Sequence, residues 1–297
     1  MEVTPQALRS IYIGLSTAYT AQFAATQTQW QRVAMEVTST GSANEYPRLD
    51  DIPAIREWIG DRVEHDVGVN TFRIENRTFE NTLVVQREKI EDDQIGIYTP
   101  LAAMLGQQVA EFPDSLIWPL LKRGSTSFGP DGQYFFDTDH ASFSESGAVI
   151  SASNFQAGSG PSWYLVDTSQ VVKPLIYQPR RAFKFVSLDR DTDERVFSRR
   201  KFTYGIDGRC NAGFGMWQLA FCSQAELTAE NYSAARTAMR SRRKRDGSPL
   251  VVRPNLLIVP PALEAAGRRI LVNEKNAAGA DNEWVRSAEL LVADWLM

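Results

Sequence analysis

TFRIENRTFENTLVVQREKI, residues 71–90, alternates like a β-strand yet carries the charge of a surface. From Asp61 to Gln94, fourteen of 34 residues are charged, against 23% for the whole chain. Phe, Ile, Thr and Val recur at strand positions, with Asn76-Arg77 and Glu80-Asn81 as candidate turns. Leu83 and Val85 share one face, and Val84 breaks the alternation. A ribbon this charged offers little to a core, and an isolated two-stranded ribbon is marginal in water. The expectation is a long hairpin that leaves the domain body and is ordered by another surface.

Upstream, Thr4-Pro5 is a helix start, with Thr4 as cap and Pro5 at the first helical position. Leu8, Tyr12, Leu15, Tyr19 and Phe23 then line one helical face. The opposite face is rich in Ser, Thr and Gln, so the helix is either a core helix of its own domain or one that needs a neighbour. RVAMEVT (32–38) reads as a strand, STGSANEYP (39–47) as a turn-rich break, and RLDDIPAIREWIG (48–60) as a short helix stopped by Gly60.

Downstream, Thr99-Pro100 repeats the cap-then-proline start, and Leu101, Met104, Leu105, Val109 and Phe112 form a helical stripe. Pro113 is expected to kink or stop that helix, because it removes a hydrogen bond and clashes with the preceding turn. PDSLIWPLLKRG restarts it, ending at Gly124 with Lys122 and Arg123 at the negative end of the dipole. Residues 163–222 read as β: WYLVD, VVKPLIYQ, RAFKFVSL, RVFSRRKFTYG and FGMWQLAFC, with DRDTDE (189–194) as a polar turn. LTAENYSAARTAMRSRRKR is a helix capped by Thr228, with Leu227 and Tyr232 as a hydrophobic staple. LVVRPNLLIVPP, ALEAAGRRIL and AELLVADWL complete a helix–strand–helix–strand unit over 223–297, distinct from the β-rich segment before it.

Composition narrows the function classes. The 297 residues are 43% hydrophobic, enough for one large domain or two smaller ones. A formal net charge of −4, with both signs mixed along the chain, gives no global signal for nucleic acid. Two cysteines and two histidines make neither a disulfide framework nor a zinc pattern; Cys210 and Cys222 read as small buried hydrophobes. MEVTPQALRS has no basic n-region followed by an apolar core, and no stretch approaches the roughly 20 apolar residues of a membrane span. A reducing cytosol is the expected site of synthesis.

Chemistry finds one candidate. GPDGQYFFDTDHA (129–141) places Asp137, Asp139 and His140 within four positions, which a hydrolase or metal-binding enzyme could use. A metal needs three or four ligands, and the other histidine, His65, lies in the charged ribbon. Pro130-Asp131-Gly132 is a turn signal and Tyr134-Phe135-Phe136 are strand formers, so the favoured reading is turn and strand. Arg240, Arg242, Arg243, Lys244 and Arg245 read as a helix C-terminus complementing its dipole, with an intersubunit patch or a DNA-binding module as alternatives. No G-x-G-x-x-G, Walker loop, G-x-S-x-G or H-E-x-x-H is present. No catalytic, cofactor-binding or metal residue is assigned, and no cofactor is expected.

Taken in order, TPQAL, REWIGDR (56–62), ENRTFENTLVVQREKIEDDQIGIYTP (75–100), DGQYFFDTDHA (131–141), WYLVDTSQVVKPLIYQPRR (163–181), GFGMWQLA (213–220), RPNLLIVPPALEAAGRRIL (253–271) and LLVADWL (290–296) resemble the major head subunit of Mu-like bacteriophages. The resemblance spans essentially the whole chain. It implies an α+β subunit of the HK97-type capsid fold and no enzymatic activity. The implied divisions are an N-terminal arm (1–45), an E-loop region (46–94), a peripheral domain with a spine helix (95–222) and an axial domain (223–297). It further implies hexamers and pentamers tiling an icosahedral shell around double-stranded DNA contacted non-specifically. Portal and scaffolding proteins, and a possible decoration protein, are the implied partners. A membrane is not, and the implied location is the virion, assembled in the host bacterial cytoplasm.

Overall fold

The computed structural model describes residues 4–47, 71–92, 96, 98–190, 193–275 and 279–297. The chain opens with α1 (Pro5–Ala25), β1 (Ala34–Glu36), β2 (Ala43–Pro47), β3 (Thr71–Glu75), β4 (Arg77–Gln86), α2 (Arg87–Glu91) and α3 (Tyr98–Lys122). The middle runs β5 (His140–Phe143), β6 (Val149–Ala152), β7 (Phe155–Gln156), β8 (Trp163–Val166), β9 (Leu175–Leu188), α4 (Glu194–Arg199), β10 (Lys201–Phe214) and β11 (Ala220–Ser223). It closes with α5 (Ala229–Arg240), β12 (Leu256–Val259), α6 (Glu264–Leu271) and β13 (Glu289–Val292). The class is α+β, as expected.

Two sheets organise these elements. One has the order β1-β9-β10-β4, the other β13-β12-β8-β11-β7; β2–β3 and β5–β6 are separate pairs. In the first sheet, Phe202, Tyr204 and Ile206 of β10 alternate onto one face with Val85 of β4 and Phe185 of β9. That face is covered by α1 and α3 through Leu8, Ile11, Leu15, Tyr19, Leu105 and Val109. In the second sheet all four residues of β8 are buried, because both faces are covered. Trp163 and Leu165 pack under α5 and α6 with Tyr232, Met239 and Ile270. Tyr164 and Val166 turn the other way, onto Ile117, Trp118 and Leu121 of α3.

Thr4 caps α1 as its sequence position predicts, accepting from the Ala7 N–H at 3.2 Å. Gly106 of α3 lies against α1: a Cβ there would meet the Tyr19 carbonyl oxygen at 2.3 Å, so only glycine lets the two backbones come this close. Within the stripes the sequence suggested, Phe23, Leu101 and Met104 remain exposed, while Leu8, Leu15, Leu105 and Val109 are buried.

Several expectations are corrected. Residues 77–86 do not leave the body: β4 pairs antiparallel with β10 from Arg77↔Cys210 to Gln86↔Lys201. The Glu80-Asn81 turn is therefore absent. Alternation explains this, since the charges of β4 fall on exposed positions. Meanwhile Val85 is 2% exposed, Leu83 packs on the same cluster, and Phe79 meets Phe112 edge-on at 4.7 Å. The break at 39–47 supplies β2, which pairs with β3. The helix expected at 48–60 lies outside the described residues.

α3 runs unbroken through Pro113 and Pro119. A proline inside a helix costs about 3 kcal/mol or more. Here the turn beyond Pro113 buries Ile117 and Trp118 at 0% exposure, and burying such side chains contributes about 1.5–3 kcal/mol each. RVFSR, expected as strand, is helix α4, joining the two long strands where the chain reverses. Phe135 and Phe136 are core residues in a loop; only Tyr134 bridges, to Phe128. The helix–strand–helix–strand order of 223–297 is present, but β12 pairs with β8 as well as β13. That segment is thus joined to the preceding one by sheet hydrogen bonds rather than standing apart.

Candidate assembly elements and the buried His140 cluster

Asp137, Asp139 and His140 are close in sequence but have different partners. His140 is 0% exposed, because it opens β5 on the strand's inner face. Its Nδ1 lies 2.6 Å from Asp131 Oδ2 and its Nε2 3.2 Å from Asn154 Oδ1. Its ring stacks on Trp217, and the Arg242 guanidinium lies 5.0 Å from the same indole's centroid. Asp137 instead accepts from the Thr138 N–H, and Asp139 from the Gln133 amide. Asn154 is held in turn, accepting from the Asp137 N–H at 2.9 Å and donating to the carbonyls of Phe135 and Trp217. The side-chain polar atoms of Asp131, His140 and Asn154 all have protein partners, and the surroundings are aromatic. Among the described residues no three His, Cys, Asp or Glu side chains are placed to hold a metal ion.

The arrangement does mechanical work. It ties loop 129–137, the β5–β6 pair, the turn before β11 and the end of α5 into one unit. Asp131, Asn154, Trp217 and Arg242 were missed from sequence because they lie 9 to 102 positions away from His140. In the structure His140 and Ser142 face inward from β5 while Ala141 is exposed.

The basic run is likewise divided. α5 ends at Arg240, and Arg242 is 5% exposed beyond it, donating to the Ser153 carbonyl. Burial pulls the Arg242 guanidinium down to about 10. Arg243 reaches Glu145 at 3.6 Å and the Gly247 carbonyl at 2.8 Å. Both cysteines are buried and free, and burial pushes the Cys222 thiol up to about 12 and raises that of Cys210, so neither is poised as a thiolate.

Two other features hold outlying elements to the body of the subunit. One is the α1–α3 pair. Asp114 of α3, 2% exposed, accepts from the Trp118 indole at 2.8 Å and from the Gln29 N–H at 3.3 Å, and so fastens the chain after α1 to α3. Burial raises the Asp114 carboxyl above its ordinary value, despite the hydrogen bonds that oppose the rise. The other is the β2–β3 pair, whose root rests on β9 and β10. There Ile74 fills a notch over Gly213, where a Cβ would lie 2.3 Å from Ile74 Cδ1. Tyr46 stacks on Phe72 at 5.1 Å.

The family described as Mu-like prophage major head subunit gpT matches residues 8–296. The chain belongs to that family. The Mu-like prophage FluMu major head subunit of Haemophilus influenzae is 36% identical, with 99% of each chain covered. The major capsid protein of Escherichia phage Mu is 34% identical over the full length of both. A subunit from the bacteriophage JBD30 procapsid superposes with a TM-score of 0.87 at 37% identity, covering 99% of this chain and 100% of that one. A subunit from the JBD30 capsid decorated with minor capsid protein trimers gives 0.75 at 28% identity, with 92% of each covered. This head subunit is a major capsid protein of a phage head, located in the virion, and a structural protein rather than an enzyme. The hydrolase alternative on Asp137, Asp139 and His140 is therefore set aside on identity as well as on geometry.

Proposed function

We propose that the subunit works as an HK97-type tile that builds hexamers and pentamers and closes them into an icosahedral shell around double-stranded DNA. In this reading residues 1–45 carry the arm with α1, 46–94 the E-loop region with β3 and the end of β2, 95–222 the peripheral domain with α3 as spine, and 223–297 the axial domain, whose β12 is hydrogen-bonded to β8 across that boundary. β4 belongs to the body's sheet, which leaves β2–β3 and the 23 residues between Pro47 and Thr71 as the reaching element. The observation that carries the reading is the isolation of that pair: among the described residues no third strand continues it. Two strands alone are marginal, so a neighbour's surface is a natural source of their order. Closed symmetry repeats every contact, and modest interface energies sum to a stable particle. Mixed charges in this region favour directed, salt-sensitive pairing.

Portal and scaffolding proteins are the proposed partners in building the head. The trimers on the JBD30 capsid support a decoration protein as a further partner. DNA contact is non-specific in this reading, since a net charge of −4 gives no global signal for nucleic acid. The experiment is to replace residues 48–70 by Asn-Gly, a two-residue hairpin turn. The expected product is a folded subunit that unfolds cooperatively as wild type does and forms no closed shells in negative-stain images. Shells at the wild-type yield would overturn the assignment.

A further inference from the structure

We infer that Gln178 is the positioning residue of the β2–β3 hairpin: a single buried amide that fixes both of its strands, and hence its direction, to the body. The inference rests on the reading of that hairpin as the coupling element. Gln178 sits on β9 at 0% exposure. Its Oε1 accepts from the Tyr46 hydroxyl of β2 at 2.7 Å. Its Nε2 donates to the Ile74 carbonyl of β3 at 3.0 Å and to Asn76 Oδ1 at 2.8 Å. The amide orientation is thereby determined, since a flipped amide would set its oxygen against two acceptors, while the Tyr46 hydroxyl can pair with either end.

The network continues outward. Asn76 donates through Nδ2 to Ser39 Oγ at 2.8 Å and to the Gly41 carbonyl at 3.0 Å. Ser39, 1% exposed, donates to Asn44 Oδ1 at 2.8 Å. Backbone bonds join it at both ends: the Ser39 N–H donates to the Pro179 carbonyl at 2.8 Å, and the Asn76 N–H to the Ser42 carbonyl at 2.9 Å. The apolar half of the root is small, consisting of Tyr46, Ile74 and Ile176 with Met35, Val37 and Phe72 against them. Apolar contact is non-directional, so Ile74 over Gly213 can hold the hairpin down without aiming it. Hydrogen bonds are directional, and they weaken steeply below about 120°. A swing of the hairpin about its root must break the Gln178 bonds before it slides the apolar contacts, and a buried amide left unpaired there is costly. The residue therefore acts on assembly through the hairpin's angle while touching no neighbour itself.

Gln178→Met, which keeps the length and removes all three bonds, and Tyr46→Phe, which keeps the stack on Phe72 and removes one, test this on the full chain. Amide hydrogen exchange of the unassembled subunit is read separately over 43–47 with 71–76 and over 201–206. For Gln178→Met, exchange in the hairpin rises about tenfold or more, as the loss of two or three bonds of ordinary strength implies, while 201–206 stays within about twofold. Tyr46→Phe raises hairpin exchange by a smaller factor, and the double variant is no worse than Gln178→Met because the bonds are shared. Unchanged hairpin exchange in Gln178→Met, a uniform rise across both regions, or additive effects in the double variant would each overturn the inference. Should Gln178→Met fail to fold, Tyr46→Phe decides alone by the same two regions. Shell yield is scored in parallel and addresses the other premise. A loosened hairpin with normal shells upholds Gln178 as the positioning residue and removes the hairpin's role in coupling.

Discussion

His140 and Trp217 lie ring on ring, with centroids 4.0 Å apart and planes 8° from parallel, both withdrawn from solvent. The acid–histidine cluster is thereby part of the subunit's framework. Its carboxylate partner is Asp131, whose side chain is only 9% exposed.

His140→Leu strands that carboxylate beside an apolar side chain. The expected loss is about 1–3 kcal/mol, the cost of leaving a buried hydrogen-bonding group without its partner. Adding Asp131→Asn should restore about 1 kcal/mol or more, because the unpaired charge is gone. Urea unfolding of the unassembled subunit, with equal m-values, measures both. An unchanged midpoint in His140→Leu would refute a structural role.

Arg242 and Arg240 differ by two positions and by burial. Arg242→Ala loses the contact with Trp217 and the bond to Ser153 and should cost about 2–4 kcal/mol. Arg240→Ala, on the exposed end of α5, should stay within about 0.5 kcal/mol. Similar costs for the two would contradict the split of the basic run into a buried and a solvated part.

Asp114 gives a pH dependence of stated sign. Its folded-state value lies above the ordinary 3.8, because burial disfavours the carboxylate. The folded state therefore holds the proton longer than the unfolded state, and the contribution is fully present below the unfolded value and lost as pH rises through the folded one. Asp114→Asn keeps an oxygen for Trp118 and Gln29 but does not titrate. Wild type minus Asp114→Asn stability should fall as pH rises from about 4 towards neutrality. A difference that rises with pH would reverse the account.

Gly106→Ala should push α1 away from α3, since no adjustment of a side chain relieves contact with the Tyr19 backbone. A loss of about 1–3 kcal/mol is expected for overpacking of this kind. Limited proteolysis should cut earlier within residues 4–30 than in wild type, and equal cleavage rates would contradict the close crossing.

What the sequence disclosed followed local rules. Thr4 and Thr228 cap their helices as read, both cysteines are buried, and the Leu83/Val85 face points inward with Val84 outward. What it concealed depended on distant partners. Charge density along 71–90 suggested a free ribbon, because nothing local shows that β10 lies alongside β4 over ten residue pairs. Pro113 suggested a break, because the burial of Ile117 and Trp118 that offsets it is tertiary. Asp131, Asn154 and Arg242 around His140, and Gln178 under the hairpin, are assembled from separate strands and loops. No spacing rule reaches that far.

The central claim is that the hairpin rooted on Gln178 couples one subunit to the next. A cryo-electron microscopy reconstruction of shells assembled from this chain tests it most directly. The account predicts that the segment between β2 and β3 contacts a neighbouring copy along most of its length. Density showing that segment packed solely against its own subunit, in a closed shell, would contradict it.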